Sequence, residues 1–289
     1  MSHWTAADLP SFSGRTVIVT GANSGLGAIT ARELSRVGAH VILACRNTAK
    51  GETAAAGMTG SVEVRPLDLQ NLASVREFAA GVDAVDVLIN NAGIMAVPYA
   101  QTVDGFESQI GTNHLGHFAL TNLLLPKIGE RVVTVSSLMH LLGHISLKDL
   151  NWKSRPYSGW LAYGQSKLAN LLFTKDLQRR LSLAGSPVRA LAAHPGYSAT
   201  ELQGRTGNPV GDKFMTAANR IATTADFGAR QTLYAASREL PGNTFVGPKF
   251  GMWGPTGPTQ LVSPAARSAR TATALWDLSE QLTGTEFPL

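Results

Sequence analysis

Short apolar runs alternate with longer stretches of helical periodicity along the first two thirds of the chain. The runs are nearly all apolar rather than alternating, which is typical of parallel strands covered on both faces. The predicted strands are Thr16–Val19, His40–Ala44, Val62–Val64, Asp86–Ile89, Arg131–Val135 and Val188–Ala192. The helices predicted between them span about 25–37, 71–80, 104–125 and 159–184. This order predicts an α/β fold, a doubly wound and mostly parallel sheet of about seven strands with helices on both faces.

The pattern loosens beyond residue 195. Glycine and proline are frequent in 196–211 and 247–258, which are expected to be loops, and long loops in compact domains often act as lids or binding loops. The other elements predicted here are a strand near 244–246 and helices over about 225–238 and 264–282. Because no linker divides the chain, we expect a single domain, 1–289, with a substrate-loop region over about 196–260.

The composition excludes several classes of protein. Charged residues make up 16% of the 289 residues, against roughly 25% in average globular chains. This low charge excludes high-charge disorder and indicates much buried surface, in a deep pocket or a subunit interface. The net charge is +5, but the basic residues are scattered, so a nucleic-acid surface is not expected. The single cysteine, Cys45, cannot form an internal disulfide and fits a reducing compartment.

The sequence shows no signal for membrane insertion or metal binding. No apolar run reaches the roughly 18 residues of a membrane span, and the N-terminus lacks a basic start followed by an apolar stretch. We expect a cytoplasmic protein without a membrane anchor. Two histidine pairs have helical spacing, His114 with His117 and His140 with His144, but neither has a third ligand. No metal site is expected.

The first predicted strand ends in a glycine-rich turn, Thr20-Gly21-Ala22-Asn23-Ser24-Gly25-Leu26-Gly27, and a helix follows. Glycine permits positive φ and lets backbone N–H groups approach a pyrophosphate at a helix N-terminus. The context of strand, turn and helix predicts a dinucleotide site, although the spacing is G-x-x-x-G-x-G rather than G-x-G-x-x-G. The turn residues expected at the cofactor are Gly21, Asn23, Ser24, Gly25, Leu26 and Gly27.

The end of the second predicted strand indicates which nicotinamide cofactor binds. NAD sites usually place an acid about 20 residues further on, at the ribose 2′-hydroxyl, whereas an arginine there accommodates a 2′-phosphate. This strand ends in Ala44-Cys45-Arg46-Asn47, with no acid. We therefore predict NADP(H) over NAD(H), with Arg46 on the phosphate. The alternative is a solvated arginine at a strand end.

Polar residues also follow the third, fourth and fifth strands. Asp68 follows the third, Asn90-Asn91-Ala92-Gly93 follows the fourth, and Ser136-Ser137 follows the fifth. Asparagine side chains at strand ends satisfy neighbouring backbone groups, and Ala-Gly leaves room for a flat ring or a sugar. Ligands in open α/β sheets bind outside the carboxyl ends of the strands. We therefore expect these residues to share one site with the glycine turn.

Tyr163 and Lys167 stand at i and i+4 on a predicted helix, where they share a face. A phenol with a pKa of ~10 is too weak a base near neutral pH, and an adjacent ammonium would lower that pKa. A serine hydroxyl such as that of Ser137 can polarise a carbonyl from the other side. A Y-x-x-x-K pattern alone occurs by chance in many helices.

In this order, the glycine turn, the Asn-Asn-Ala-Gly run, the serine pair and the Tyr163/Lys167 pair resemble the short-chain dehydrogenase/reductase family. The resemblance extends over about 13–200 and implies a Rossmann fold. The segments Leu-Ala-Cys-Arg, Ser-Ser-Leu-Met-His and Ser-Lys-Leu-Ala-Asn are most similar to the retinol dehydrogenase and protochlorophyllide reductase branch. Residues 196–260 match far less well, so a retinoid substrate does not follow from the resemblance.

The resemblance also implies roles for individual residues. Asn113 supports a proton-relay water, Ser137 orients the substrate oxygen, Tyr163 is the general acid/base, and Lys167 holds the nicotinamide ribose and lowers the tyrosine pKa. Ser137 is preferred over Ser136 because the family's serine is normally the second of the pair. The residues assigned to the cofactor are the pyrophosphate-binding Gly21, Gly25 and Gly27, the adenine-bordering Asp68 and Leu69, the ribose-lining Asn90 and Ala92 with Gly93, and the nicotinamide-side turn Pro195-Gly196.

The expected activity is NADP(H)-dependent interconversion of a carbonyl and an alcohol on a small molecule. Tyr197, Met252 and Trp253 favour an apolar substrate, and Met139 and His140 are further candidates for the pocket because they follow Ser137. Two alternatives stay open, a reductase acting on a C=C bond and a non-catalytic NADP(H)-binding redox sensor.

A homodimer or homotetramer is also expected. The apolar stretch Phe118–Leu125 is predicted to pack in the core or at a subunit interface. Members of the family often pair through this helix and the helix that carries Tyr163.

Overall fold

The computed structural model describes residues 4–196 and 224–289 and contains the expected alternation of strands and helices. The described strands are β1 (Thr16–Thr20), β2 (His40–Cys45), β3 (Ser61–Pro66), β4 (Val85–Asn90), β5 (Ile128–Val135), β6 (Arg189–Ala193), β7 (Phe245–Pro248) and β8 (Thr256–Pro258). They form one sheet in the order β3-β2-β1-β4-β5-β6-β7-β8, and all neighbours are parallel except β7 and β8. The predicted fold class is confirmed, with eight described strands where about seven were expected.

The additional strand is β8, in the segment 247–258 that the sequence predicts to be a loop. Its three residues, Thr-Gly-Pro, carry no apolar pattern that would mark a strand. The strand is held by antiparallel pairing with β7, with Val246 opposite Pro258 and Pro248 opposite Thr256. The loop prediction is therefore wrong for these residues, because pairing with a neighbour rather than local sequence determines their conformation.

The helices begin and end close to the predicted positions. In the described ranges they are α1 (Gly25–Arg36), α2 (Thr48–Ala55), α3 (Leu72–Ala80), α4 (Ser108–Ile110), α5 (Gly116–Leu124), α6 (Gly159–Leu183), α7 (Ala225–Ser237), α8 (Pro264–Arg267) and α9 (Ala269–Thr283). A π-helical turn, Gly111–Leu115, joins α4 to α5. The sequence did not predict α2, because Gly51 is its only buried residue and it shows no apolar stripe.

Both faces of the sheet are covered, which explains the continuous apolar runs. Ile18 of β1 belongs to the hydrophobic core on one face, which also contains side chains of α3, α5, α6 and α9. Val17 and Val19 pack with side chains of α1 and α7 on the other face. All three are fully buried. The helix layers leave the carboxyl ends of the strands as the edge where polar residues gather.

Helix α6 lies between the sheet and α9, and it is the longest described helix, with 25 residues.

In the described ranges, no helix combines the length and apolar character that a bilayer span requires. The predicted helix over about 264–282 is present as two pieces, α8 and α9.

Candidate active site

A cleft of about 910 Å³ lies at the edge where β1 to β6 end. Every residue that the sequence analysis assigns to catalysis or to cofactor binding lines this cleft, except Asn90 and Asn113. The lining members of that set are Gly21, Asn23, Ser24, Gly25, Leu26, Gly27, Arg46, Asp68, Leu69, Ala92, Gly93, Ser137, Tyr163, Lys167, Pro195 and Gly196. Residues from six strand ends thus meet at one concave surface, as expected of a ligand site in an open sheet.

The glycine turn connects β1 to α1 along the floor of the cleft. Gly21 and Gly25 have φ of +67° and +53°, which non-glycine residues rarely adopt. A Cβ on Gly27 would lie 2.4 Å from the Gly21 carbonyl oxygen and 2.6 Å from the Asn91 amide nitrogen. The Ser24 side chain makes no capping hydrogen bond to α1. The first turn of α1 therefore presents backbone N–H groups to the cleft, which is suitable for binding an anion.

The segment after β4 is hydrogen-bonded to Thr20 at the end of β1. Thr20 Oγ1 accepts hydrogen bonds from the backbone N–H groups of Asn91 and Ala92, both at 2.9 Å. The Asn91 amide donates to the Thr20 carbonyl at 2.8 Å. Asn91, to which the sequence analysis gives no individual role, therefore lines the cleft together with Ala92. Asn90 is buried beneath and donates to Thr121 Oγ1 at 2.9 Å, away from the cleft.

Asn113 lies in the π-helical turn, behind the wall of the cleft. Its side-chain amide accepts from Ile94 N–H at 2.8 Å, and donates to the Ile94 carbonyl at 2.9 Å and to Ser166 Oγ at 2.8 Å. Its backbone carbonyl lies 3.1 Å from Nδ1 of His117, whose pKa burial lowers to about 4. Asn113 thus links the segment after β4 to α6. π-Helical turns are frequent at functional sites, because they change which side chains face inward.

Ser137, Tyr163 and Lys167 meet at the middle of the cleft. The Ser137 hydroxyl accepts from Met139 N–H at 3.2 Å and hydrogen-bonds with the Tyr163 hydroxyl. Lys167 Nζ donates to the Val135 carbonyl at 3.0 Å and lies 5.6 Å from the centre of the Tyr163 ring. The two side chains share one face of α6, as the i, i+4 spacing predicts.

Ser136 has a different environment from Ser137. It is buried, and its hydroxyl donates to the Lys167 carbonyl at 2.8 Å. Both serines line the cleft, but the Ser136 hydroxyl joins β5 to α6 through the Lys167 carbonyl, whereas the Ser137 hydroxyl hydrogen-bonds with the Tyr163 hydroxyl.

Burial determines the protonation of Tyr163 and Lys167. It raises the pKa of Tyr163 to about 12, with the hydrogen bond to Ser137 acting in the opposite direction. Burial lowers the pKa of Lys167 to about 8. The expected lowering of the tyrosine pKa by the ammonium group is not seen, because Lys167 is directed to the Val135 carbonyl. Near neutral pH, Tyr163 is a protonated phenol that can donate a proton.

The lowered pKa of Lys167 predicts how stability depends on pH. Its ordinary value is 10.5, so between about 8 and 10.5 the unfolded chain binds a proton that the folded protein has lost. The free energy of unfolding then rises with pH in this window, by up to ~1.4 kcal/mol per pH unit. We expect Lys167→Met to lack this rise. Urea unfolding at several pH values between about 7.5 and 9.5 measures it, below the range where Tyr163 titrates.

The exposed Lys153 provides the matched control for this experiment. Lys153→Met should keep the pH dependence of the wild type. If the free energy of unfolding changed with pH in the same way for the wild type and Lys167→Met, the lowered pKa of Lys167 would be contradicted.

Basic residues gather where β2 ends. Arg46 is exposed at the mouth of the cleft, and Lys50, in the first turn of α2, also lines it. Asn47 caps α2 by accepting from Lys50 N–H at 2.9 Å. Lys50 was missed because α2 was not predicted, although its i+4 spacing from Arg46 is visible in the sequence. The described contacts include no carboxylate partner for either side chain.

Apolar side chains line the cleft near Ser137 and Tyr163. They include Met139 and Leu142, which follow Ser137, Trp160, which precedes Tyr163 on α6, and Met252. Of the residues expected to favour an apolar substrate, Met252 lines the cleft, Trp253 is 58% exposed and does not, and Tyr197 lies outside the described residues. Leu142 and Trp160 were not recognised in the sequence, since nothing local distinguishes them from other apolar residues.

His140 does not line the cleft, contrary to the prediction. It is fully buried, with Nδ1 2.7 Å from the Ser137 carbonyl and Nε2 accepting from Ser263 N–H at 3.2 Å. The short 3₁₀-helix Leu138–Leu142 turns its ring inward, while Met139 faces the cleft.

Among residues 4–196 and 224–289, no group of three or more possible ligands could hold a metal ion.

The chain is similar to known proteins in both sequence and fold. A family model described as short chain dehydrogenase matches residues 15–210. Retinol dehydrogenase 13 of Homo sapiens is 44% identical over 296 residues, covering 95% of this chain and 86% of that protein. A putative uncharacterized protein from Mycobacterium paratuberculosis, solved by crystallography, is 67% identical over 100% of both chains, with a TM-score of 0.90. A putative NAD(P) dependent gluconate 5-dehydrogenase from Beutenbergia cavernae, solved with bound NADP at low occupancy, is 27% identical over 78% of this chain and 91% of that chain, with a TM-score of 0.58.

Proposed function

Because the chain belongs to the short-chain dehydrogenase/reductase family, in its retinol dehydrogenase-like branch, we propose that it interconverts a carbonyl and an alcohol with NADP(H). Membership of the family makes it an oxidoreductase. The observation that carries the finer proposal is the single cleft in which Ser137, Tyr163 and Lys167 lie beside the glycine turn.

The residues of the cleft fit a dinucleotide. The turn from β1 to α1 lacks the side chains that would fill it, since a Cβ at Gly27 would lie within 3 Å of two polar atoms. Gly21, Gly25 and Gly27 would hold the pyrophosphate with the N–H groups of α1. Ala92 and Gly93 leave room for a ribose, and Pro195-Gly196 borders the other side. When bound, the nicotinamide supplies or accepts the hydride.

In the direction of reduction, Tyr163 supplies the proton. Hydride adds to the carbonyl carbon while the proton of the Tyr163 hydroxyl passes to the carbonyl oxygen, which gives the alcohol and leaves a phenolate. The pKa of about 12 keeps the phenol protonated before the reaction. Ser137 would donate a hydrogen bond to the same oxygen, and the Lys167 ammonium would stabilise the phenolate.

The NADP(H) preference is supported by the two cations at the end of β2. Arg46 and Lys50 both line the cleft beside Asn47, and no acid takes the place of the one that usually binds a free 2′-hydroxyl. The structure of the Beutenbergia cavernae protein contains NADP. These two cations, on one side of the adenosine end of the cofactor, would bind its 2′-phosphate by charge-assisted hydrogen bonds.

Arg46→Ala is expected to weaken NADPH binding about tenfold and to leave NADH binding unchanged. A hydrogen bond to a charged group is worth about 1.5 kcal/mol or more, which corresponds to roughly tenfold in Kd. Fluorescence titration of both cofactors measures the change. Arg36→Ala, on the exposed end of α1, is the control. A clear preference of the wild type for NAD(H), or unchanged NADPH binding in Arg46→Ala, would end this assignment.

The substrate is proposed to be an apolar carbonyl compound or alcohol. Met139, Leu142, Trp160 and Met252 line the cleft and offer apolar surface beside the catalytic hydroxyl groups. Burial of such side chains against substrate favours hydrocarbon over charged groups. A strict preference for small charged substrates would contradict this choice.

Activity is tested by following NADPH oxidation with a mixed panel of aldehydes and ketones of increasing apolar surface. We expect turnover on at least one of them, with kcat/KM rising as the apolar surface grows. NADPH oxidation only with compounds that carry a C=C bond would instead identify a C=C reductase. Tight NADPH binding without turnover on any compound would favour a redox sensor.

A further inference from the structure

His117 is a buried histidine to which the proposed reaction gives no role. It has helical spacing from His114, but within the described residues no third ligand completes a metal site. It lies in the first turn of α5, with 1% of its surface exposed. Buried polar atoms need hydrogen-bond partners, so the partners of the two ring nitrogens show what this side chain does.

The contacts of the ring determine which nitrogen carries the hydrogen. Nδ1 lies 3.1 Å from the backbone carbonyl oxygen of Asn113, which can only accept, so the hydrogen is on Nδ1. Burial, opposed by this hydrogen bond, lowers the pKa of His117 to about 4, so the ring is neutral near neutral pH. In a neutral imidazole the other nitrogen, here Nε2, is an acceptor.

Nε2 of His117 lies 2.9 Å from the hydroxyl oxygen of Thr20, at the end of β1. A hydroxyl group has one hydrogen and two lone pairs. The Thr20 hydroxyl uses both lone pairs, because it accepts from the N–H groups of Asn91 and Ala92. Its hydrogen has two acceptors within reach, Nε2 at 2.9 Å and the Ile89 carbonyl at 3.4 Å, and the contact to His117 is the shorter.

The segment after β4 packs directly on the glycine turn. A Cβ on Gly21 would lie 2.9 Å from Cα of Ala92, and a Cβ on Gly27 would lie 2.6 Å from the Asn91 amide nitrogen. No space for a side chain is left between the segment and the turn at these two positions. A shift of Asn91 and Ala92 would therefore change the part of the cleft in which the pyrophosphate and the ribose would lie.

We infer that His117 is a positioning residue for the cofactor, because it orients the Thr20 hydroxyl so that both lone pairs hold the segment after β4 against the glycine turn. The inference rests on the proposed function, in which Ala92 and Gly93 leave room for a ribose. His117 does not line the cleft, so it acts only through Thr20. Because Thr20 is fully buried, water does not replace His117 as the acceptor.

Two substitutions separate the hydrogen bond to Thr20 from the presence of a polar side chain. In His117→Asn the amide ends near the position of Nδ1, where it can donate to the Asn113 carbonyl but does not reach Thr20. In His117→Gln the amide extends to the position of Nε2, where its oxygen can accept from the Thr20 hydroxyl.

His117→Asn is expected to bind NADPH and NADH about tenfold more weakly than the wild type, the usual effect of one lost buried hydrogen bond. His117→Gln should bind both cofactors nearly as well as the wild type. Fluorescence titration measures the affinities, and the Tm of each variant is measured in parallel.

Measurements on the ligand-free protein test the orientation of Thr20 without any cofactor. ¹⁵N NMR spectra of the imidazole groups should show the hydrogen of His117 on Nδ1 and none on Nε2. Amide hydrogen exchange of Asn91 and Ala92 should be about tenfold faster in His117→Asn than in the wild type. His144→Asn, at an exposed histidine, is the matched control and should leave this exchange unchanged.

Three results would each overturn the inference. They are a hydrogen on Nε2 of His117, equal amide exchange in the wild type and His117→Asn, and equal weakening of cofactor binding by His117→Asn and His117→Gln. Where a variant does not fold, the position of the hydrogen in the wild type still decides. A wild type that binds neither cofactor would contradict the proposed function rather than the orientation of Thr20 by His117.

Discussion

Replacing Tyr163 with phenylalanine is expected to lower kcat for carbonyl reduction by about 10²–10⁴-fold, the usual contribution of a positioned proton donor. The substitution removes only the hydroxyl and keeps the ring, which is 7% exposed and packs beside Lys167. The loss should therefore appear in kcat, with NADPH affinity nearly unchanged. Single-turnover oxidation of bound NADPH with the best substrate of the aldehyde and ketone panel measures the chemical step directly.

The control for this variant is Tyr99→Phe. Tyr99 is 43% exposed, and its hydroxyl accepts a hydrogen bond from Gln101 at 3.2 Å. It should retain the rate of the wild type. Equal rates for the wild type and Tyr163→Phe would exclude Tyr163 as the proton donor, whatever the identity of the substrate.

Gly27→Ala is expected to weaken binding of NADPH and NADH alike, by about 100-fold. The new methyl group would lie 2.4 Å from the Gly21 carbonyl oxygen and 2.6 Å from the Asn91 amide nitrogen. The first of these atoms belongs to the backbone, so the turn itself has to move away from the position that suits the pyrophosphate. Overpacking of this kind costs up to about 3 kcal/mol, which corresponds to roughly two orders of magnitude in Kd.

Gly57→Ala provides the matched control, because the nearest atom to its added Cβ is 3.8 Å away. Titration of both cofactors, with Tm measured in parallel, separates a binding defect from a loss of the fold. Arg46→Ala should discriminate between the cofactors, whereas Gly27→Ala should not. Unchanged cofactor affinity in Gly27→Ala would mean that the dinucleotide does not lie on this turn.

The sequence predicts the parts of the fold in which local pattern and tertiary environment agree. The strands of the parallel sheet have continuous apolar runs because helices cover both faces, and their parallel pairing follows from the alternation with helices. The sequence analysis missed β8 and α2 because neither segment carries an apolar pattern that would mark it. Thr-Gly-Pro becomes a strand only by pairing with β7, and α2 buries only Gly51.

The same distinction applies to the candidate site. Motifs place Tyr163, Lys167 and Ser137 at one edge, because strand ends and helical spacing determine where side chains meet. They do not tell which asparagine after β4 faces the cleft, since this depends on the hydrogen bonds that Thr20 makes. Nor do they predict the raised pKa of Tyr163, because desolvation depends on the whole surroundings of the ring.

The π-helical turn Gly111–Leu115 has a consequence for exchanging segments between relatives. An α-helix rotates by about 100° per residue, so the wider turn changes the phase of everything that follows it. Here the amide of Asn113 reaches Ile94 while the ring of Phe118 reaches Trp276. A chimera that crosses over inside this turn, or shortens it by one residue, would keep one of these contacts in phase and misdirect the other. Donor and recipient should therefore be joined outside 108–124, so that the whole stretch is inherited from a single parent.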